Sequence, residues 1–171
     1  MSNVSSGVDP SGLLEAAKTL SRPAEEFVNH QDVELQWAIK ASEHMEIHFS
    51  LLKAVDPKFL KLTPVDQQLL EDFNVTFGKQ VNLAKIDEIA LKSEESKALW
   101  RDFCNRYQEL VEDFNFATIL RLDSSEDYSQ ENTTLVPRVQ FLAIEIARNR
   151  FGLNDDIRRK FGSISATETQ S

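Results

Sequence analysis

The sequence predicts a mainly α protein of the α+β class, a single compact domain of about five helices with one small β-hairpin. Apolar residues recur at three- and four-residue spacing through most of the chain, as they do on one face of a helix. Between residues 116 and 122 they alternate instead, and β-branched residues are included, as in a strand. The length of 171 residues suits one domain with its own core.

Both ends of the chain are predicted to lie outside the packed domain. Residues 1–9 are small and polar, and we predict a flexible tail there. Residues 162–171 are likewise predicted to form a disordered tail. The single globular domain is therefore predicted to span residues 10–161.

Two helices are predicted in the first third of the chain. A short amphipathic helix can start after Asp9 and should stop at Pro23. Residues 24–31 are expected to connect it to the next helix. That second helix is predicted to begin at Asp32, a candidate N-cap, and to run to about Val55, because apolar residues recur there at helical spacing.

Two further helices are predicted in the middle of the chain. Thr63 can cap a helix whose first position is Pro64, and Gly78 is expected to end it. Residues 81–91 are ambiguous, since their short alternation would also allow a brief strand. Ser93, followed by acidic residues, is predicted to begin the next helix. The apolar face of that helix is formed by Trp100, Phe103, Tyr107, Leu110 and Phe114.

The last third of the chain is predicted to contain the hairpin and a final helical pair. Residues 116–122 have the strand pattern, residues 123–132 are polar and turn-forming, and residues 133–136 can return as the partner strand. Pro137 then opens a helix that Gly152 closes, and one more helical turn follows. The alternative left open is that the first of these segments simply prolongs the preceding helix.

Charge and composition exclude some classes of function. The net charge of −9 argues against a general binder of nucleic acid or of anionic membranes. Residues 138–160 carry a net charge of +3, so the rest of the chain carries −12. Such an uneven charge distribution predicts a dipolar surface, which suits a protein partner. Cys104 is the only cysteine, so no internal disulfide can form. With no signal-like N-terminus and no apolar run near the ~20 residues of a membrane span, we expect a cytoplasmic protein. As a separate expectation, the protein is a monomer.

Residue types that carry catalysis are present, but no arrangement of them predicts an active site. The five glycines are far apart, so a glycine-rich phosphate loop is absent. His44 and His48 have a spacing that could bind one metal, but no third ligand suggests itself. Cys104 is expected to be structural, and the acidic pair at 112–113 to be solvated. We therefore predict that the protein is not an enzyme and uses no cofactor and no metal.

The densest pattern of the chain lies between residues 112 and 150, where polar residues occur that core packing alone does not require. Its most distinctive blocks are Val-Glu-Asp-Phe-Asn-Phe-Ala-Thr-Ile-Leu-Arg-Leu-Asp at 111–123, Glu-Asn-Thr at 131–133 and Pro-Arg-Val-Gln-Phe-Leu-Ala-Ile-Glu-Ile-Ala-Arg-Asn-Arg at 137–150. Upstream, Trp37-Ala38 and Asp-Pro-Lys-Phe-Leu-Lys-Leu-Thr at 56–63 belong to the same pattern. Together these blocks resemble the eukaryotic polysaccharide-biosynthesis-domain-containing protein family, over roughly residues 30–152.

This resemblance implies an ATP-independent chaperone that assists newly made translation elongation factor 1-alpha. Such a chaperone works at the ribosome, next to the nascent polypeptide-associated complex, and engages the GTPase domain of its client while that domain folds. The two implied partners are therefore nascent elongation factor 1-alpha and the nascent polypeptide-associated complex. The family name suggests a different function, a methyltransferase-like or polysaccharide-modifying enzyme, and a general interaction scaffold is a third option.

The chaperone hypothesis assigns two sets of residues. Candidates for the client-binding surface are polar residues of the late hairpin and helix, some of which could instead brace the hairpin. They are Arg121, Asp123, Glu131, Asn132, Arg138, Gln140, Arg148, Asn149 and Arg150. The last helical turn is a candidate for docking to the ribosome-associated partner, through Ile157, Arg158, Arg159 and Phe161.

Overall fold

Six α-helices and one two-stranded antiparallel sheet make up the described part of the chain, residues 24–162 of the computed structural model. The mainly α class with one small hairpin is therefore confirmed. Side chains are described from residue 32 onward. The tail predicted over residues 1–9, the helix predicted before Pro23 and residues 163–171 lie outside the described part.

The elements follow the predicted order along the chain. The helices are α1 (Ala24–Ala54), α2 (Asp66–Thr76), α3 (Glu88–Leu91), α4 (Glu94–Asn105), α5 (Arg138–Arg150) and α6 (Asp155–Phe161). The strands are β1 (Ala117–Arg121) and β2 (Thr133–Pro137). Short 3-10 turns at Pro57–Phe59 and Gln130–Asn132 lie in the connections.

Helix α1 is longer than predicted, because it begins at Ala24 and not at Asp32. The connector expected over residues 24–31 is therefore wrong. That segment contains neither Gly nor Pro, so nothing in it interrupts a helix, and Asp32 continues the helix where a cap was expected. At the other end the helix stops before Asp56, which accepts a hydrogen bond from the backbone N–H of Lys58 at 3.2 Å.

Helix α2 begins slightly later than predicted. Its first residue is Asp66, whose carboxylate accepts the backbone N–H groups of Leu62 and Thr63 at 3.1 and 2.7 Å. The chain therefore makes one extra turn before the helix starts. The helix ends as predicted, since Gly78 follows with a φ of +55°, which glycine adopts at little cost.

The segment between α2 and β1 differs most from the prediction. The ambiguous residues 81–91 form the short helix α3, together with a single bridge between Lys85 and Asp123, and no strand. Ser93 caps α4 as predicted, with its side chain accepting the N–H of Ser96. That helix stops at Asn105, however, and repeated turns follow, so the expected apolar face is not one continuous helical face.

The predicted hairpin is confirmed. Strand β1 pairs antiparallel with β2, from Ala117 opposite Pro137 to Arg121 opposite Thr133. The alternative, a prolonged helix, is excluded. The long connection between the strands is held by Asn132, whose side-chain amide donates to the carbonyls of Asp123 and Asp127 at 3.1 and 2.9 Å. Its amide oxygen accepts the N–H of Asp123 at 2.8 Å.

Helix α5 lies at the centre of the fold. It packs against α2, α4, both strands and the first 3-10 turn, and every residue from Val139 to Asn149 is buried. An aromatic cluster from α2, α4 and the turns that follow them packs on the same core. Its rings belong to Phe73, Phe77, Trp100, Phe103 and Tyr107. A helix enclosed on all sides must also bury its polar residues, and this decides where the predicted site residues lie.

Candidate functional site

A buried ionic network joins strand β1 to helix α5. The Glu145 carboxylate lies 3.3 Å from Nη2 of Arg121 and 2.9 Å from Nη1 of Arg148, and the three side chains are 0% exposed. The two guanidinium groups flank one carboxylate. Each of the three buried charges therefore has a neighbour of opposite sign. We call these residues, with Asn154 and His48, the buried network.

Most of the remaining donors of the two arginines bind backbone carbonyls, while the Nε of Arg121 has no hydrogen-bond partner among the described residues. Arg121 donates to the carbonyls of Ser124 and Glu126 at 2.7 and 3.1 Å. Arg148 donates to the carbonyls of Leu83 and Leu122 at 2.8 and 2.9 Å. The hairpin connection and the loop before α3 are thereby fixed to the central helix.

Asn154, the residue before the last helix, and His48, on the first helix, complete the buried network. The side chain of Asn154 accepts from Arg121 at 2.6 Å and donates to Glu145 at 2.9 Å. His48 lies with Nδ1 2.7 Å from the Tyr128 hydroxyl and Nε2 3.8 Å from Glu145. Residues from the two ends of the described chain therefore meet at one carboxylate.

The charge states of the buried network follow from this geometry. Burial alone would raise the pKa of Glu145, but the adjacent guanidinium groups of Arg121 and Arg148 hold it well below its usual range. Burial lowers the pKa of His48 to about 4, against the opposing attraction of Glu145. Glu145 is therefore charged and His48 neutral at neutral pH, and the buried network is an internal brace.

Four of the nine client-binding candidates lie in the interior, so the expectation that they face outward is wrong for them. These four are Arg121, Gln140, Arg148 and Asn149. The physical reason is that α5 is enclosed by other elements, and Glu145 supplies a counterion inside the core. The sequence signal that could have identified the brace is Glu145 itself, a single acid within the apolar run of α5.

The other five candidates lie nearer the surface but at three separate places. Glu131 is exposed at the hairpin tip, where Asp123 and Asn132 make local hydrogen bonds. Arg138 lies at the start of α5, and Arg150 lies at its end, donating to Gln67 at 3.1 Å. These residues do not form one continuous face, and whether any of them binds a partner stays a prediction.

The candidates for partner docking lie on α6, which packs against α1. Ile157 is fully buried, so its predicted place on a docking surface is wrong. Phe161 is partly buried, with its ring 5.5 Å from that of Phe49. Arg158 lies 4.0 Å from Asp56, and Arg159 is exposed and forms an ion pair within its own helix.

A surface groove runs between α1 and the turns that precede β1. It consists of two adjoining clefts of about 230 and 440 Å³ that share His44 and Arg138, and we call it the Arg138 groove. Ile47 and Leu110 lie in its two clefts and are 62% and 50% exposed. Acidic residues also line the groove. One of them, Asp113, has a backbone φ of +55°, which is uncommon for any residue other than glycine.

The catalytic residue types weighed from the sequence occupy ordinary places in the structure. His44 and His48 both lie edge-on to the Phe141 ring, with centroids 4.9 and 5.1 Å away. Among the described side chains, from residue 32 onward, no three His, Cys, Asp or Glu residues converge in a way that could hold a metal ion. Cys104 is buried, and burial raises the pKa of its thiol to about 11, as expected for a structural cysteine. None of the described helices has the length and apolarity needed to cross a membrane.

Comparison with known proteins gives consistent matches over most of the chain. A family model described as PBDC1 protein matches residues 33–159. Protein PBDC1 of Homo sapiens is 48% identical over 83% of this chain, and the chain spans 60% of the human protein's length. The PBDC1 homolog of Schizosaccharomyces pombe is 45% identical, with 80% of this chain and 95% of that protein covered. The solution NMR structure of a Saccharomyces cerevisiae protein superposes with a TM-score of 0.70 at 40% identity, covering 76% of this chain and 91% of that one.

Proposed function

Because this chain belongs to the PBDC1 family, we propose that it acts as an ATP-independent chaperone for the GTPase domain of nascent elongation factor 1-alpha. The proposal follows the function that the sequence resemblance implies. It places the protein in the cytoplasm at the ribosome, next to the nascent polypeptide-associated complex. The protein then works by holding its client and has no reaction, nucleotide or metal of its own.

The observation that supports this proposal best is the composition of the Arg138 groove. Ile47 and Leu110 expose apolar surface in its two clefts. Burying such surface against a client is favourable by roughly 25 cal/mol per Å². Two apolar contacts separated by a cation suit an amphipathic client segment, since that segment can bury its apolar side and pair its polar side.

Arg138 supplies the polar part of this surface. Its guanidinium lies 5.9 Å from the centre of the Phe116 ring and makes only a long hydrogen bond of 3.5 Å to the carbonyl of Glu112. Its Nε has no hydrogen-bond partner among the described residues. A carbonyl or carboxylate of a client would satisfy these donors without breaking a strong internal bond.

The rigidity of the groove wall also supports the proposal. Arg138 is the first residue of α5, and the buried network fixes that helix from Glu145 onward. A surface that is already ordered before binding loses little conformational entropy when a client arrives.

The proposal is tested by recovering nascent chains from translating cells, with puromycin as the control that releases them. Ile47→Ser with Leu110→Ser should reduce the recovery of elongation factor 1-alpha nascent chains about tenfold, the effect of about 1.4 kcal/mol of lost apolar contact. The matched control is Val75→Ser with Ile89→Ser, because these two residues are each 86% exposed and lie outside the groove.

Three results would contradict the proposal. The first is a wild-type protein that recovers no puromycin-sensitive elongation factor 1-alpha chains. The second is an equal loss of nascent-chain recovery in the groove variant and in the control variant. Such a result would assign the effect to nonspecific hydrophobic association. The third is a rise in melting temperature with S-adenosylmethionine or a sugar nucleotide, which would favour the enzyme alternative instead.

A further inference from the structure

A second cleft, of about 350 Å³, lies between α4, the turn before β1 and the start of α5. Lys92, Lys97 and Arg101 line it, and none of its described lining residues is Asp or Glu. This is unusual in a chain whose net charge is −9. We call it the cation cleft.

Helical geometry explains the arrangement of the cation cleft. Four residues of α4 that line the cleft share one face of the helix, because they are three, one and three positions apart. They are Lys97, Trp100, Arg101 and Cys104. Trp100 and Cys104 are buried and form an apolar floor. Lys97 and Arg101 are exposed at the rim, and neither forms an ion pair with any of the side chains described from residue 32 onward.

The cation cleft also contains polar groups without partners. The indole N–H of Trp100 has no acceptor among the described residues, although the side chain is only 3% exposed. Gln140, on the α5 side, makes no side-chain hydrogen bond within the described part of the chain, but its amide is reachable by solvent. Buried polar groups are nearly always satisfied in folded proteins. The unpartnered indole N–H of Trp100, together with the free amide of Gln140 in the same cleft, therefore suits a ligand that brings acceptors.

Lys92 is held at the edge of the cation cleft by the fold itself. Its Nζ donates to the backbone carbonyl of Leu135 on strand β2. Desolvation lowers the pKa of Lys92, Glu88 opposes that effect, and Lys97 lowers the pKa further. An anion bound between these two lysines would reduce their mutual repulsion.

We propose that the cation cleft binds a short acidic segment of a partner protein, with one aromatic or aliphatic side chain of that segment on the Trp100 floor. Carboxylates of the segment pair with Lys97 and Arg101, and its carbonyls accept from Trp100 and Gln140. The volume suits one or two side chains, near the lower limit of known ligand sites of ~300–1,000 Å³. The charge of the whole chain disfavours a long polyanion such as RNA, while three local cations suit a few carboxylates.

This site goes beyond the chaperone proposal. The residues that line the cation cleft are different from those that line the Arg138 groove. A variant that loses one surface can therefore keep the other. Failure of the acidic-segment proposal would leave client binding at the groove untouched, and the reverse also holds.

The test is a titration of the full chain, observed by NMR of its two tryptophan indole N–H groups. The probe is the acetylated and amidated peptide Glu-Asp-Glu-Phe-Asp-Glu-Asp, and its Gln/Asn counterpart is the uncharged control. The Trp100 signal should move on addition of the acidic peptide. Trp37 serves as the internal reference, because its indole donates to the carbonyl of Ala117 at 2.9 Å, away from the cation cleft. A Trp37→Phe variant assigns the two signals.

Charge-reversal variants separate a specific site from general attraction. Lys97→Glu with Arg101→Glu should weaken peptide binding at least tenfold, and Lys97→Gln with Arg101→Gln provides a milder pair if the first disturbs the helix. Lys61→Glu with Lys79→Glu makes the same charge change elsewhere and should change the affinity less than threefold.

Several results would overturn the proposal. One is an unmoved Trp100 signal at millimolar peptide. Another is equal weakening by the cleft and control reversals. A third is the same affinity for a peptide in which Ser replaces the central Phe. Tighter binding of an oligouridine than of the peptide would assign the cation cleft to nucleic acid instead.

Discussion

Glu145→Gln tests whether the buried network holds the fold together. The carboxylate of Glu145 lies between Arg121 and Arg148, at 3.3 and 2.9 Å, with all three side chains inaccessible to water. Glutamine keeps the size of the side chain and one acceptor oxygen. It removes the negative charge, so two buried guanidinium groups face each other without a counterion.

The expected loss of stability can be bounded from the contacts. Removing one partner of a buried ion pair typically costs about 3–5 kcal/mol. Here the arginines keep backbone acceptors, including the carbonyls of Leu83, Leu122 and Ser124. We therefore expect a value at the lower end, about 3 kcal/mol, which corresponds to about 6–12 °C in melting temperature for a domain of this size.

Urea unfolding followed by circular dichroism measures this loss. The midpoint should fall while the slope of the free energy against urea stays constant, since the area exposed on unfolding does not change. Glu131→Gln is the matched control, because Glu131 is exposed at the hairpin tip and should shift stability by no more than about 0.5 kcal/mol. A loss below about 1 kcal/mol in Glu145→Gln would refute the reasoning, since the carbonyls alone would then suffice.

Three other perturbations give simple outcomes. The pKa of His48 is about 4 in the folded protein and about 6.5 in the unfolded chain, so the unfolded state takes up the proton first as the pH falls. Folding stability should therefore drop by about 3 kcal/mol between pH 6.5 and pH 4, and His48→Gln should flatten that drop in urea titrations. Cys104, whose thiol pKa burial raises to about 11, should resist a thiol reagent at pH 8 in the native protein and react at once in denaturing urea. Gly162→Ala should cost about 1–3 kcal/mol in thermal unfolding, since a new methyl group would meet the carbonyl of Arg158 and lie 2.8 Å from that of Lys53.

The sequence predicted elements best where one local signal dominates. Pro137 and Gly152 mark the two ends of α5, and the alternating pattern identified the hairpin against the helical alternative. The unpredicted parts depend on contacts between distant residues. Helix α4 stops at Asn105, although apolar residues continue at helical spacing beyond it. Those later residues lie in turns and not in a helix. Gly162 was predicted to begin a disordered tail, but it packs closely against the carbonyl of Lys53.

The candidate site was only partly predictable, because burial cannot be recognised from residue type alone. Arg148 and Arg150 stand two positions apart near the end of one helix, and the sequence predicts the same surface role for both. The fold separates them, since Arg148 meets Glu145 in the core and Arg150 stays exposed. Only the partner of each arginine distinguishes a brace from a surface charge, and for Arg121 that partner lies 24 positions away in the chain.

Arg138 and Gln140 stand two positions apart on α5 and line the two proposed binding surfaces. Two steps along an α-helix turn by about 200°, so their side chains leave on opposite sides of the helix. Arg138 therefore contributes to the Arg138 groove, while Gln140 contributes to the cation cleft. The buried network holds the same helix through Glu145 and Arg148 further along. Coupling between the two surfaces would need α5 to move as a two-state element, which the fully buried ion pairs oppose, so we expect the two proposed surfaces to act independently.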